Sequence, residues 1–204
     1  NYVICDLSKK IKLNKQINID AIIHCAGSDK GQNFFKFYKN NILATQNLVD
    51  FANLNKVKKF IFLSSISVYG YINNKKLKIN SEIISPELYG LSKLICEKSI
   101  QDKKNKFKSI SIRLPGIIGK GSKKNFISRL YKNISSSKQI KIFNPNSLFN
   151  NCIDVEELSK FIFQLIKVNF KKHDILLVGS SNPIRIIDVV NLMITNVKSK
   201  SKIK

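Results

Sequence analysis

The chain has 204 residues, 43% of them hydrophobic and 24% charged, which is enough to bury a core and too apolar for a disordered chain. No run approaches the ~20 apolar residues of a membrane span. The opening NYVICDLSKK lacks the basic, apolar and small-residue regions of a signal peptide, so a cytoplasmic protein is expected. The formal charge of +23 raises binding of RNA or another polyanion as one reading, but the lysines are scattered through a chain also rich in Asn and Ile. Arginine, the planar fork that phosphate and base recognition favour, occurs only at Arg113, Arg129 and Arg185, and no nucleic-acid motif accompanies the charge.

In chain order, YVICDL (2–7) reads as a strand and AIIHCAG (21–27) as a second, ending at a glycine. From Asn33 to about Asn53 apolar residues recur three or four apart, which predicts a helix. KKFIFLSS (58–65) is a third strand, nearly all apolar, as expected of one covered on both faces. A loop with Asn73, Asn74 and Pro86 leads to a helix over about 86–103, and SISIRLPGIIG (109–119) supplies a fourth strand, stopped by Pro115 and Gly116. Strands alternating with helices predict an α/β class, a doubly wound parallel sheet of Rossmann type. Beyond residue 120 the rhythm loosens: a helix over 125–134, the short run QIKIF (139–143), a helix over 155–168, the strand DILLVG (174–179) and a helix over 186–197. These are read as a small substrate-binding region packed on the sheet, so the expected domains are 1–120 and 121–204, with KSKSKIK as a solvated tail.

Cys5, Cys25, Cys96 and Cys152 lie far apart and read as free thiols, not as a disulfide framework or metal cluster. His24, inside an apolar strand, reads as a hydrogen-bonded core residue. A dinucleotide-binding unit normally opens with a strand, a glycine-rich turn and a helix whose N–H groups hold the pyrophosphate. Nothing ahead of AIIHCAG offers that turn, and GIIGKGSKK (116–124) lacks the lysine directly after its last glycine that a Walker loop needs. The first βαβ unit is therefore expected to lie upstream of the sequence.

The composite signal is SSISVYG (64–70) followed by YGLSK (89–93). Tyr89 and Lys93, four apart on a predicted helix, share a face, and Ser64 and Ser65 end an apolar strand, where open α/β sheets build ligand crevices. A phenol with a pKa of ~10 is a poor base at neutral pH. A neighbouring ammonium favours the phenolate, and a serine hydroxyl can hold the substrate oxygen against it.

At these residues the chain resembles the extended short-chain dehydrogenase/reductase family, the NAD-dependent epimerase/dehydratase group acting on nucleotide sugars. DAIIHCAG (20–27) is similar to its D-x-V-I-H-x-A-A/G strand, and NNILATQNLVDFA (40–52) to its N-x-x-G-T-x-N-L-L helix, with Ala44 replacing the glycine. KKFIFLSSISVYG resembles K-x-F-V-x-x-S-S-x-x-V-Y-G, RLPGIIGKG (113–121) resembles R-x-x-x-V-x-G-x-G, and NNCIDVEELSKFI (150–162) resembles a later family segment.

The resemblance implies Ser65, Tyr89 and Lys93 as the catalytic set, Lys93 also binding the nicotinamide ribose of NAD or NADP. It implies Asp6 and Leu7 at the adenine, Ala26, Gly27 and Ser64 lining the cofactor, Asn41 near the nicotinamide, and Pro115 and Gly116 beside nicotinamide and substrate. Ser65, Ser67 and Gly116 would contact a nucleotide-sugar substrate. Dehydratases of the family carry an acidic residue where this chain has Ile66 and Ser67, so the implied reaction is C4 epimerisation or 4-keto reduction, in surface polysaccharide synthesis. A homodimer through the helices near Leu48 and Ile95 is implied, and no metal. Against these stand a non-catalytic module binding RNA or another polyanion, and an inactive fragment.

Overall fold

The computed structural model describes residues 2–12, 18–72 and 76–204; the expected loop residues Asn73 and Asn74 lie outside these. Strand β1 (Ala21–His24) is followed by one continuous helical run made of α1 (Phe34–Phe37), a π-helical segment (Tyr38–Leu43) and α2 (Ala44–Leu54). Next come β2 (Lys59–Ser65), a 3-10 turn (Ile66–Tyr69), α3 (Leu88–Ile100) and β3 (Lys108–Leu114). The remainder holds β4 (Gly116–Ile118), α4 (Phe126–Ser135), β5 (Leu148–Phe149), β6 (Cys152–Asp154), α5 (Val155–Lys167), β7 (His173–Leu177), β8 (Ile184–Arg185) and α6 (Ile186–Val197).

Two units emerge, one of residues 1–114 and 162–177, the other of 115–161 and 178–204. In the first, β1, β2, β3 and β7 form a parallel sheet in that order, with His24 beside Phe62, Ser65 beside Leu114 and Ile112 beside Leu176. The contiguous split expected at residue 120 is corrected. Pro115, which has no N–H to give the ladder, ends β3, and residues 162–177 belong to the first unit because β7 pairs with β3 over five residues. Phe60 and Phe62 of β2 pack with Val49, Ala52, Cys96 and Ile100 of α2 and α3 and with Phe107, whose ring stacks on Phe60 at 5.1 Å. That apolar seam explains why β2 reads as nearly all hydrophobic.

The strand expected at 2–7 does not form. Residues 2–6 join no ladder, and Tyr2 and Ile4 are 89% and 90% exposed. An alternating apolar pattern only suits a strand; the strand itself needs a neighbour's N–H and C=O groups, and no described segment offers them.

In the second unit, Leu130 and Ile134 of α4 and Val190 of α6 share a core with Ile140. β4 pairs with β6 in parallel and β5 with β8 antiparallel, short ladders that the sequence pattern did not reveal. The solvated tail is also corrected. Ile140 donates to Lys202 O and accepts from Lys204 N, Ile142 donates to Lys204 O, and the Ser199 hydroxyl donates to Ile134 O. Lysine side chains stay in water while the backbone between them pairs, so polar composition concealed the contact.

Candidate active site

The site starts at the C-terminal end of β2. Ser65 is extended, and its hydroxyl accepts from Ser67 N at 3.1 Å, capping the 3-10 turn. Val68 and Tyr69, fully buried, anchor that turn, and Gly70, at φ 67°, reverses the chain where a Cβ would sit 2.0 Å from Ile84 O. Helix α3 approaches the turn through Gly90: a Cβ there would lie 2.0 Å from Ser67 O. The bare Cα at 90 therefore lets Tyr89, its neighbour, reach the serine. The Ser65 side chain is near enough to the Tyr89 phenol to lower its pKa, against the pull of burial.

Lys93, one turn further along α3, is buried and donates to Leu63 O at 2.9 Å, with its ammonium 4.8 Å from the Phe62 ring centroid. A Cβ at Gly27 would stand 3.5 Å from that ammonium and 3.1 Å from Asn41 Oδ1, so the exposed Cys25–Gly27 segment passes close by Lys93. Serine hydroxyl, phenol and ammonium thus gather at one end of the sheet.

Burial pushes the Tyr89 phenol above its ordinary value; the Ser65 hydroxyl works against that and the Asp29 charge adds to it. Burial also lowers the Lys93 ammonium, opposed by Cys96, Cys25 and Glu97. The Lys30 ammonium lies 5.7 Å from the Tyr89 ring centroid, and the Phe37 ring flanks the phenol at 6.1 Å. His24 is a core residue: its Nε2 bonds Thr45 Oγ1 at 2.9 Å, and burial, then the Lys93 charge, lowers it to about 4.

Other sequence-predicted residues have partners within the protein. Asn41, expected at the cofactor, is buried in the π-helical segment; its Oδ1 accepts from Ser28 N at 2.7 Å and its Nδ2 donates to Ser92 Oγ at 2.8 Å. It ties the loop after β1 to α3, a use consistent with π-turns inserted where a helix must aim a side chain. Ser64, also expected at the cofactor, turns its hydroxyl away to Glu97 Oε1 at 2.6 Å, because alternate residues of a strand face opposite sides of the sheet. Asp6 is exposed and accepts from the N–H and hydroxyl of Ser8, while Leu7 O accepts from Asn47 Nδ2 at 2.9 Å. Pro115 and Gly116 open the second unit, where Gly116 N donates to Asn151 O at 3.3 Å.

Sequence reasoning missed the polar cluster behind the serines. Glu97 holds Arg113 through two hydrogen bonds as well as accepting from Ser64, and Arg113 lies 4.7 Å from the Tyr69 ring centroid. A charged residue in the apolar strand SISIRL and another on the apolar face of α3 were the available signal.

The cradle suits a nicotinamide dinucleotide on its own chemistry. Leu63 O is the acceptor that the described residues give the buried ammonium of Lys93, which leaves N–H groups for a ligand's hydroxyls, and Gly27 lets the Lys93 and Asn41 side chains come close to the exposed chain after β1.

The model of the family described as "NAD dependent epimerase/dehydratase family" matches residues 1–179. An uncharacterized protein of Methanocaldococcus jannaschii is 25% identical over 201 residues, covering 93% of this chain and 60% of that protein. UDP-glucose 4-epimerase of Dictyostelium discoideum is 33% identical over 89 residues, covering 42% of this chain and 26% of that enzyme. The chain thus spans three fifths or less of the length of these two relatives. Among solved structures, MoeE5 in complex with UDP-glucuronic acid and NAD superposes with a TM-score of 0.80 at 19% identity, over 99% of this chain and 71% of that one, a likeness of fold. The Rossmann-type parallel α/β reading agrees with it. With the family model spanning most of its residues, the chain belongs to the NAD dependent epimerase/dehydratase family.

Proposed function

We propose that the protein, with NAD or NADP, inverts or reduces C4 of a nucleotide sugar, and that Ser65, Tyr89 and Lys93 carry the reaction. The observation that supports this most is that Tyr89 and the buried Lys93 stand one turn apart on α3, with the Ser65 side chain beside the phenol. When bound, the oxidised nicotinamide supplies a hydride acceptor and a positive charge. Tyr89, protonated at neutral pH in its buried site, gives up its proton more readily beside such a charge. Its phenolate takes the C4 hydroxyl proton while the carbon releases hydride, and Ser65 holds the oxygen in line. Tyr89 returns that proton to the C4 oxygen when hydride comes back to the opposite face of the 4-keto sugar. A reductase uses only this second half.

Ala26 and Gly27 would line the cofactor, Lys93 its ribose, and Asp6 and Leu7 the adenine. Ser67, Pro115 and Gly116 would border sugar and nicotinamide. Ile66 and Ser67 cannot serve as the acid or base of an elimination, which favours epimerisation or reduction over dehydration. No helix among the described residues is long and apolar enough to cross a membrane.

The test is Tyr89→Phe in the full-length gene product. Turnover of a UDP-hexose should fall by ~10²-fold or more while NAD binding, followed by calorimetry, persists. Turnover at the parental rate would overturn the assignment.

A further inference from the structure

The edge of the main sheet opposite the serines is where the basic charge collects. Three sequence segments meet there: 56–59 leads into β2, 103–108 into β3, and 167–172 into β7. Three, four and three of their residues are lysine, ten of sixteen, and none is acidic. The segments are stitched together by Lys108 N donating to Lys58 O and Ser109 N donating to Lys172 O, both at 3.0 Å, and by the Lys172 ammonium reaching Lys103 O. Ten of the 36 Lys and Arg residues, far apart along the sequence, are therefore brought together in space.

A bland account is that lysines complement helix C-termini. Helices α2, α3 and α5 all end at this edge, each worth roughly half a negative charge. Asp20, Asp102 and Asp174 add three negative charges. That leaves a surplus of about +5 within a few side-chain lengths, where like charges repel at ordinary ionic strength. Lys103, Lys104, Lys106, Lys108 and Lys172 surround an open hollow of about 600 Å³. Phe107 at this hollow is buried, so no aromatic face is presented on which a nucleobase could stack. The lysines offer point charges around this open hollow, two of them already held, Lys108 by Asn169 Oδ1 and Lys172 by Lys103 O, which suits clustered phosphates better than a base sequence.

We propose that this hollow is a second ligand site, taking a compact polyphosphate anion. It lies the length of β2, seven residues or about 20 Å, from Ser65, and is separate from the reaction proposed above.

The probe is inorganic tripolyphosphate, titrated calorimetrically into the whole chain at low salt with orthophosphate as reference. Tripolyphosphate should bind at least ~10-fold more tightly than orthophosphate and weaken severalfold as salt rises from about 0.05 to about 0.2 M. The triple variant Lys103→Glu, Lys106→Glu, Lys172→Glu should lose ~10-fold or more in affinity. The variant Lys120→Glu, Lys132→Glu, Lys138→Glu, with the same change in net charge, should lose less than ~2-fold. If circular dichroism shows the first triple unfolded, Lys104→Gln with Lys106→Gln must give the same ordering. Equal losses in both triples, no preference over orthophosphate, or binding of anionic vesicles or RNA that tripolyphosphate does not displace would each overturn the site.

Discussion

Glu97 and Arg113 form a two-point ion pair inside the molecule, Nε to Oε1 at 3.1 Å and Nη2 to Oε2 at 2.7 Å, with side chains 2% and 6% exposed. Glu97 stands one turn beyond Lys93 on α3, and Arg113 sits on β3 directly beside Ser64. The pair therefore couples the helix that carries Tyr89 and Lys93 to the strand end that carries Ser65, with the Ser64 hydroxyl as a third contact.

Removing one partner would leave the other charge buried alone. Arg113→Leu should cost about 3–5 kcal/mol in urea denaturation, more than Ser64→Ala, which removes a single hydrogen bond worth roughly 1–3 kcal/mol. An Arg113→Leu protein as stable as the parent would show that the pair contributes nothing net.

Gly90→Ala places a methyl group where Ser67 O already sits. Either α3 moves away from the turn or the turn opens; both should lower stability by roughly 1–3 kcal/mol and separate Tyr89 from Ser65. Thermal unfolding measures the first effect, and loss of turnover with retained nucleotide affinity measures the second. An unchanged melting temperature would mean that the approach is looser than the geometry indicates.

His24 gives stability a pH dependence. Its folded value of about 4 lies below the unfolded 6.5, so the unfolded chain takes up the proton first as pH falls. The stabilisation is complete above the unfolded value and drains away between 6.5 and about 4, amounting to about 2 kcal/mol lost from pH 7 to pH 5. Urea titrations at those two pH values should show a shallower loss in His24→Gln than in the parent. Equal slopes would remove His24 from the acid response.

Ser65→Ala deletes the hydroxyl whose influence works against burial at the Tyr89 phenol. Its titration, isolated as the tyrosinate absorbance difference from Tyr89→Phe, should move to higher pH still. A shift to lower pH, or none, would mean that the hydroxyl does not hold the phenol.

Much of this was legible in the residues because it is local. The apolar run of β2, the helical period of residues 34–54, and the i, i+4 spacing of Tyr89 and Lys93 each follow from patterns a few residues long. Motif order then joined the serine pair to Tyr89 across the intervening loop. Residues 2–7 show the limit: their pattern suits a strand, yet a ladder needs a partner that pattern does not supply. The tail misled in the opposite direction, since lysine composition said solvent while its backbone pairs with Ile140.

The sequence by itself determined the α/β class, the main strands and helices from β1 to β3, and the shared helix face of Tyr89 and Lys93, because strand and helix periods and motif spacing are properties of the chain alone. Only the tertiary structure decided that Ser64 faces Glu97, that Asn41 is taken up by Ser28 and Ser92, and that ten lysines from three distant segments share one edge. The physical reason is that hydrogen bonds and charge act through space, over a few ångströms, between groups the chain keeps tens of residues apart.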